Sequence, residues 1–417
     1  MLYRLGWILL IIAVTPFFTH AQEVDLRPLE YLGKQIFFDE NLSDPPGQSC
    51  ASCHSSMAGW TGDTSEINAH AAVYPGAVET RSGNRKPQSA AYATFSPVFH
   101  YNKEEGLFVG GNFWDGRATG WLLDDPAAEQ AQGPFLNPVE QNIISAKQVV
   151  ALVCRSEYAS DFRGIYGEGI CNNTVNAYNA IGKAISAYEA SPEVNAFASK
   201  YDYYLKDPKQ YPLSKQEMLG LQIFEDEKKG NCAACHPSQP ANDGVPPLFT
   251  DFTYDNLGVP KNLENSWYRM PKDINPDGEQ WIDPGLGGFL AIVPRFASSA
   301  SGNRGKHKVP TLRNVDLRPE LGFVKSYGHN GYFKSLKEIV HFYNTRDRKP
   351  SCETTTKPQP GVNCWPTPEV TENVNKEELG NLGLTEVEEQ ALVTFMKTLS
   401  DNWTPPAGTD KLTGDSW

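Results

Sequence analysis

The sequence has little that would take it into a membrane or onto a nucleic acid. After Phe18 no apolar run reaches the roughly 20 residues of a spanning helix, so no membrane span is expected in the mature chain. Basic residues are in deficit, 37 Lys and Arg against 50 Asp and Glu, for a formal charge of −13. That balance argues against nucleic acid and favours a basic or neutral-faced partner. Period-two alternation is scarce, which argues against a sheet-based fold. Methionine and cysteine are few, at 5 and 8, so each can be weighed singly.

What is present starts at the N-terminus. Arg4 precedes an apolar run from Leu5 to Phe18, and Thr19 and Ala21 flank His20. The pattern predicts a secretory signal peptide over 1–21, cut after Ala21; a retained anchor is the alternative, for which the run is short. The mature chain is then expected in an oxidising compartment. Its roughly 400 residues exceed what one core usually supports, so two domains are expected.

The cysteines divide by spacing. Cys50 and Cys53, and again Cys232 and Cys235, form Cys-x-x-Cys pairs followed at once by His54 and His236. Cys154, Cys171, Cys352 and Cys364 remain. In an exported chain these suggest two disulfides, most simply Cys154 to Cys171 and Cys352 to Cys364, with crossed pairings open.

An internal repeat organises the rest. Leu32-Gly33-Lys34-Gln35-Ile36-Phe37-Phe38-Asp39-Glu40 returns as Leu219-Gly220-Leu221-Gln222-Ile223-Phe224-Glu225-Asp226-Glu227, each copy before a Cys-x-x-Cys-His. This predicts a duplicated module. Each half closes with a helical stripe: Val175, Tyr178, Ile181, Ile185 and Tyr188 in the first, Val387, Ala391, Leu392, Phe395 and Leu399 in the second. Thr385 with Glu388 is a capping box for the last helix. The expected fold is mainly α: two cytochrome c-like domains, 22–205 and 206–404, and a tail over 405–417. Long loops over 71–111, 237–308 and 344–381 are expected to cover cofactors or gate access.

Cys-x-x-Cys-His can hold a haem by two thioethers while its histidine binds iron. Zinc or a redox dithiol would explain one such motif; two copies after matching helices in an exported chain point to two haem c, with His54 and His236 as proximal ligands. An open sixth position would make a catalyst, and two filled ones a carrier.

Further segments carry a resemblance. They are Asn112-Phe113-Trp114-Asp115-Gly116-Arg117-Ala118, Gln130 to Glu140, Lys308-Val309-Pro310-Thr311-Leu312-Arg313-Asn314-Val315, His329-Asn330-Gly331-Tyr332-Phe333 and His341-Phe342-Tyr343-Asn344. With the two haem motifs they resemble the bacterial di-haem cytochrome c peroxidase and MauG family over most of the mature chain. The resemblance implies a periplasmic enzyme, with Trp114 as the aromatic bridge between haems. It implies Gln130, Pro134 and Glu140 as the lining over the first haem, and Tyr343 as a ligand of the second where classical peroxidases have methionine. Met270 is the rival ligand. His70 stands where classical members block the resting first haem. A calcium ion usually lies between the haems; Asn84 fits one ligand, while the carbonyl segment is altered to Val324-Lys325-Ser326. MauG also has a relay tryptophan just before its second motif, and Lys228-Lys229-Gly230-Asn231 offers none here. The expected function is oxidation driven by hydrogen peroxide, with electrons from a small redox protein or from a residue of a protein substrate. The alternative is a di-haem electron carrier without turnover. Oligomeric state is not legible.

Overall fold

The computed structural model describes residues 24–406, so the expected signal peptide and most of the expected tail lie outside the described residues. The chain is mainly helical. Its helices are α1 (Pro28–Phe37), α2 (Ser65–Ala69), α3 (Pro126–Leu136), α4 (Ala146–Val153), α5 (Ala159–Tyr166), α6 (Thr174–Glu189), α7 (Lys200–Lys206), α8 (Lys215–Glu225), α9 (Gly285–Ile292), α10 (Leu336–Thr345) and α11 (Glu386–Lys397). Two short antiparallel pairs complete it: β1 (His100–Asn102) with β2 (Leu107–Val109), and β3 (Tyr254–Asp255) with β4 (His307–Lys308).

Side-chain caps start several of these helices. Ser214 and Glu217 bond each other's backbone N–H at the head of α8, and Thr385 and Glu388 do the same for α11. Such a cap stabilises a helix by about 1 kcal/mol. The apolar stripes of α6 and α11 begin a turn later than the spacing suggests. Ile181, Ile185, Tyr188, Ala391, Leu392 and Phe395 are buried, whereas Val175 and Val387 are each 68% exposed.

Two large apolar cores form. One gathers Leu32, Ile36 and Phe37 of α1 with Ile181, Ile185 and Tyr188 of α6. The other gathers Leu221, Ile223 and Phe224 of α8 with Ala391, Leu392 and Phe395 of α11. The repeated glycine explains the matching geometry. A Cβ on Gly33 would lie 1.9 Å from the Ala184 carbonyl oxygen, and one on Gly220 would lie 2.1 Å from that of Ala391. Both helix pairs therefore cross at a distance only glycine allows.

The change of core falls slightly before the expected join. Val194 packs in the first core, and Tyr201 of α7 already packs in the second. Arg313 holds α7 there by a buried ion pair with Asp202 at 2.7 Å. Disulfides join Cys154 to Cys171 and Cys352 to Cys364, each worth about 3 kcal/mol in loop-closure entropy.

Candidate haem sites

Each Cys-x-x-Cys-His begins as one 3-10 turn, over Cys50–Ser52 and Cys232–Ala234. The histidine's backbone N–H then returns to the first cysteine's carbonyl, at 3.0 Å for His54 and 2.9 Å for His236. This turn brings all three side chains to one cavity wall in each half. The imidazoles are held alike: Nδ1 donates to the Trp60 carbonyl at 3.1 Å in the first, and to that of Phe249 at 2.7 Å in the second. Burial lowers the basicity of both rings, that of His236 to about 4, so they stay neutral and fit to bind a metal.

The four motif cysteines are not disulfide-bonded. Burial pushes the thiols of Cys53 and Cys232 up to about 12 and raises Cys50 and Cys235 further.

The two cavities differ in lining. The first, about 560 Å³, is lined by Cys50, Cys53 and His54 together with Gln130, Pro134, Glu140, Glu189 and Arg117. Besides His54, no histidine or methionine lines it. The second, about 200 Å³, is lined by Cys232, Cys235 and His236 with Leu336, Val340, Tyr343, Leu392 and Met396. Trp114, Lys308 and Val309 border both. Trp114 is fixed from two sides: its Nε1–H donates to the Lys86 carbonyl at 2.8 Å, and its carbonyl accepts from the backbone N–H of Lys308 at 2.9 Å.

Whether haem fits can be judged from polar atoms that the protein leaves unmatched. Trp267 Nε1 in the first wall and His307 Nε2 and His329 Nε2 in the second are buried without a hydrogen-bond partner, although His329 Nε2 lies 3.8 Å from Glu369 Oε2. His307 Nε2 lies 3.3 Å from Asp283, but not in hydrogen-bond geometry. Lys86 and Lys308 are buried with only neutral oxygens on their ammonium groups, Pro87 O at 3.2 Å and Asn112 Oδ1 at 2.9 Å. Burial lowers them to about 8 and about 7. Unmatched donors and cations beside the thiols and imidazoles suit a ligand that carries carboxylates, as haem does.

Around the first motif, burial raises the Glu140 carboxyl, partly offset by the Arg117 charge and a hydrogen bond from Asn137. Gly76 allows the chain to lie against this segment, because a Cβ there would meet the Val139 and Glu140 carbonyl oxygens at 2.5 and 2.7 Å. Glu189, at the end of α6, is pushed up to about 8 by burial and by Asp125. Nothing in the sequence singled it out, since its helix position reads as an ordinary polar end. Lys308 and His329 sit in the motif runs, but their burial was not legible there.

Three expected residues stand away from the roles considered for them. His70 is outside the first cavity, its side chain 66% exposed and 3.0 Å from Glu264. Met270 does not line the second cavity; Tyr343 and Met396 do. Tyr343 lies on α10, and burial raises its phenol. Asn84 lines the first cavity. In the segment expected to offer calcium its carbonyls, the Lys325 ammonium donates to the carbonyls of Ala58, Asn314 and Leu317 at 2.8, 2.8 and 3.0 Å. The Lys325 amine occupies these three carbonyls, and the geometry gives calcium no support.

Residues 28–210 match the family model described as di-haem cytochrome c peroxidase. The chain is 33% identical over 378 residues to the methylamine utilization protein MauG of Paracoccus denitrificans, covering 89% of this chain and 88% of that one. It is 27% identical to the cytochrome-c peroxidase IdrP1 of Denitromonas iodatirespirans over 88% of this chain and 80% of that protein. Among solved structures, the diheme peroxidase BthA of Burkholderia thailandensis superposes with a TM-score of 0.72 at 29% identity, covering 93% of this chain and 90% of the other. The protein belongs to the di-haem cytochrome c peroxidase and MauG family, a family of haem-dependent oxidoreductases.

Proposed function

We propose that this is an exported, periplasmic enzyme that reduces hydrogen peroxide at a haem in the first cavity and draws electrons through a second haem. The carrying observation is the asymmetry of the two linings. The first offers an imidazole, a raised carboxyl and an amide, with no second histidine or methionine. The second adds a phenol on α10 and Met396 among aliphatic side chains, with His307, His329 and Glu369 also in its wall.

In this reading Cys50, Cys53 and His54 hold one haem c, and Cys232, Cys235, His236 and Tyr343 hold the other. When bound, the haems supply the iron that reduces peroxide and a second electron store. The chain supplies the rest. Glu140, whose carboxyl is raised by burial, would give a proton to the departing oxygen of peroxide and take one back as water forms. Gln130 and Pro134 position peroxide and limit water in the same wall. Trp114, like Tyr327, is an aromatic contact common to both cavities. Tyr343 favours ferric iron once its proton is displaced by the metal, as a hard anionic ligand does, and this aligns the chain with the MauG branch. The electrons come from a small redox protein or from a residue of a protein substrate.

The resting spectrum of the holoprotein tests this against the electron-carrier reading. One high-spin ferric haem that changes on adding peroxide, followed by recovery with a reduced donor, is expected. Two low-spin haems inert to peroxide, before and after one-electron reduction, would leave only the carrier.

A further inference from the structure

The proposed reaction leaves open how a donor too large to enter a buried cavity delivers its electrons. Trp267 lines the first cavity, and its buried indole N–H has no protein acceptor. The residue is anchored by Asn265 Oδ1, which accepts from its backbone N–H at 2.9 Å, and by Asn275 Nδ2, which donates to its carbonyl at 2.9 Å. Its ring meets Trp281 edge-on, with centroids 5.8 Å apart. Trp281 is partly exposed, and the adjoining Ile282 is 41% exposed.

A second arm reaches the same residue from the other cavity. Tyr268 is buried, and its ring lies 6.1 Å from Trp281. Its hydroxyl is 3.4 Å from Oε1 of Glu369, which borders the second cavity. The Lys261 ammonium stands 4.1 Å from the Tyr268 ring centroid. A cation there opposes positive charge on the ring, so Tyr268 can lose an electron only as its phenol proton leaves. Glu369 is placed to take that proton. Two readily oxidised rings, Trp267 in the first cavity wall and Tyr268 bonded to Glu369 of the second, thus converge on one partly exposed indole.

We propose that Trp281 is the surface terminus at which the enzyme is re-reduced by a large one-electron donor, with Trp267 and Tyr268 as its inner contacts. This rests on the peroxide reading above. Hydrogen peroxide takes two electrons and two protons to give two waters. Each electron leaves Trp281 inward, and the resulting tryptophan radical is refilled from the docked donor, which is oxidised by one electron per pass. Trp267 and Tyr268 return to their starting state, Tyr268 regaining its proton from Glu369.

The test uses the holoenzyme. Peroxide is added without donor in the presence of a nitroso spin trap, and the adduct is located by peptide mass spectrometry. In a second measurement a reduced mono-haem cytochrome c serves as donor. The wild type should carry the adduct on Trp281. Trp281→Phe should lose it, react with peroxide at the wild-type pre-steady-state rate, and oxidise the cytochrome about tenfold more slowly. Peroxide consumption with adducts only elsewhere overturns the relay alone, as does unchanged cytochrome oxidation by Trp281→Phe. A wild type that does not consume peroxide overturns the underlying reading and the relay with it. If the variant fails to fold, the wild-type adduct map still decides.

Discussion

The two halves are built on the same helix crossing and the same imidazole anchor, yet they close over their motifs differently. In the first, carboxyl and amide groups of Glu140, Glu189 and Gln130 face the cavity. In the second, the phenol of Tyr343 and aliphatic side chains line it together with Asp283, His307, His329 and Glu369. The shared parts answer a shared problem, which is to fix a neutral imidazole and two sulfurs on one wall. The divergent parts decide what each cavity can do with a proton. In the proposed reading the carboxyl and amide groups of the first lining serve bond-breaking, and the phenol of the second serves storage of charge.

The largest effect should come from breaking the halves separately. His54→Gly is expected to abolish the peroxide reaction, whereas His236→Gly should spare the initial reaction and chiefly disable electron supply; stopped-flow absorbance with and without donor separates the two. Equal, unimpaired turnover in both variants would remove the division of labour.

Glu140→Gln sharpens the same contrast. It should leave both haem spectra in place and slow the step after peroxide binding by about 10²- to 10⁴-fold, the usual loss for a proton-handling group. A rate matching wild type would reduce Glu140 to a structural carboxyl. For the second half, Tyr343→Met should raise the reduction potential of the second haem, because an anionic donor to ferric iron is gone. A potential and spectrum that stay put would make Tyr343 a packing residue and turn attention to Met396, which lines the same cavity.

Gly33→Ala and Gly220→Ala ask whether the common scaffold is truly common. Each places a methyl group against a helix carbonyl, and overpacking of that kind costs about 1–3 kcal/mol. Both should lower Tm, by similar amounts. A neutral result at one site would show that its crossing has slack the other lacks.

The smallest effect is a slope. Glu189 has its carboxyl raised from 4.5 to about 8 in the folded chain. Between those values the folded state holds a proton that the unfolded state has lost, so the Glu189 contribution to stability is complete below about 4.5 and declines as pH rises toward 8. Denaturant titrations across that range should show a shallower decline for Glu189→Gln. An identical pH profile would mean that the carboxyl is already ionised, with a partner outside the protein.

Much of this comparison was legible before any coordinates. The repeat around Gly33 and Gly220 announced a duplicated module, while the close helix crossing that its glycine permits shows only in the packing. The capping pair of Thr385 and Glu388 marked the start of α11 because the hydrogen bonds involved are local. The core boundaries were less legible. Val175 and Val387 continue the apolar period yet face solvent, since periodicity records which face is apolar and not where the partner helix ends. The buried cations Lys86 and Lys308 were invisible for a related reason: lysine is ordinarily exposed, and only long-range packing reveals that these two have nowhere else to go. His70 illustrates the converse, a loop histidine whose distance from a motif in sequence says little about which way its loop runs.

Arg85 carries one more consequence. Its buried guanidinium lies between Asp115, the residue after Trp114 in sequence, and Asp283, on the rim of the second cavity, at 2.7 Å from each. Stripping a partner from a buried ion set costs about 3–5 kcal/mol, far more than thermal energy supplies. The charges and dipoles at this junction are therefore held in place while an electron passes, and do not swing to follow it. A medium that does not relax spends little energy on reorganisation, so Arg85 makes the region between the cavities behave less like a solvent and more like a solid-state insulator with its fields set in advance.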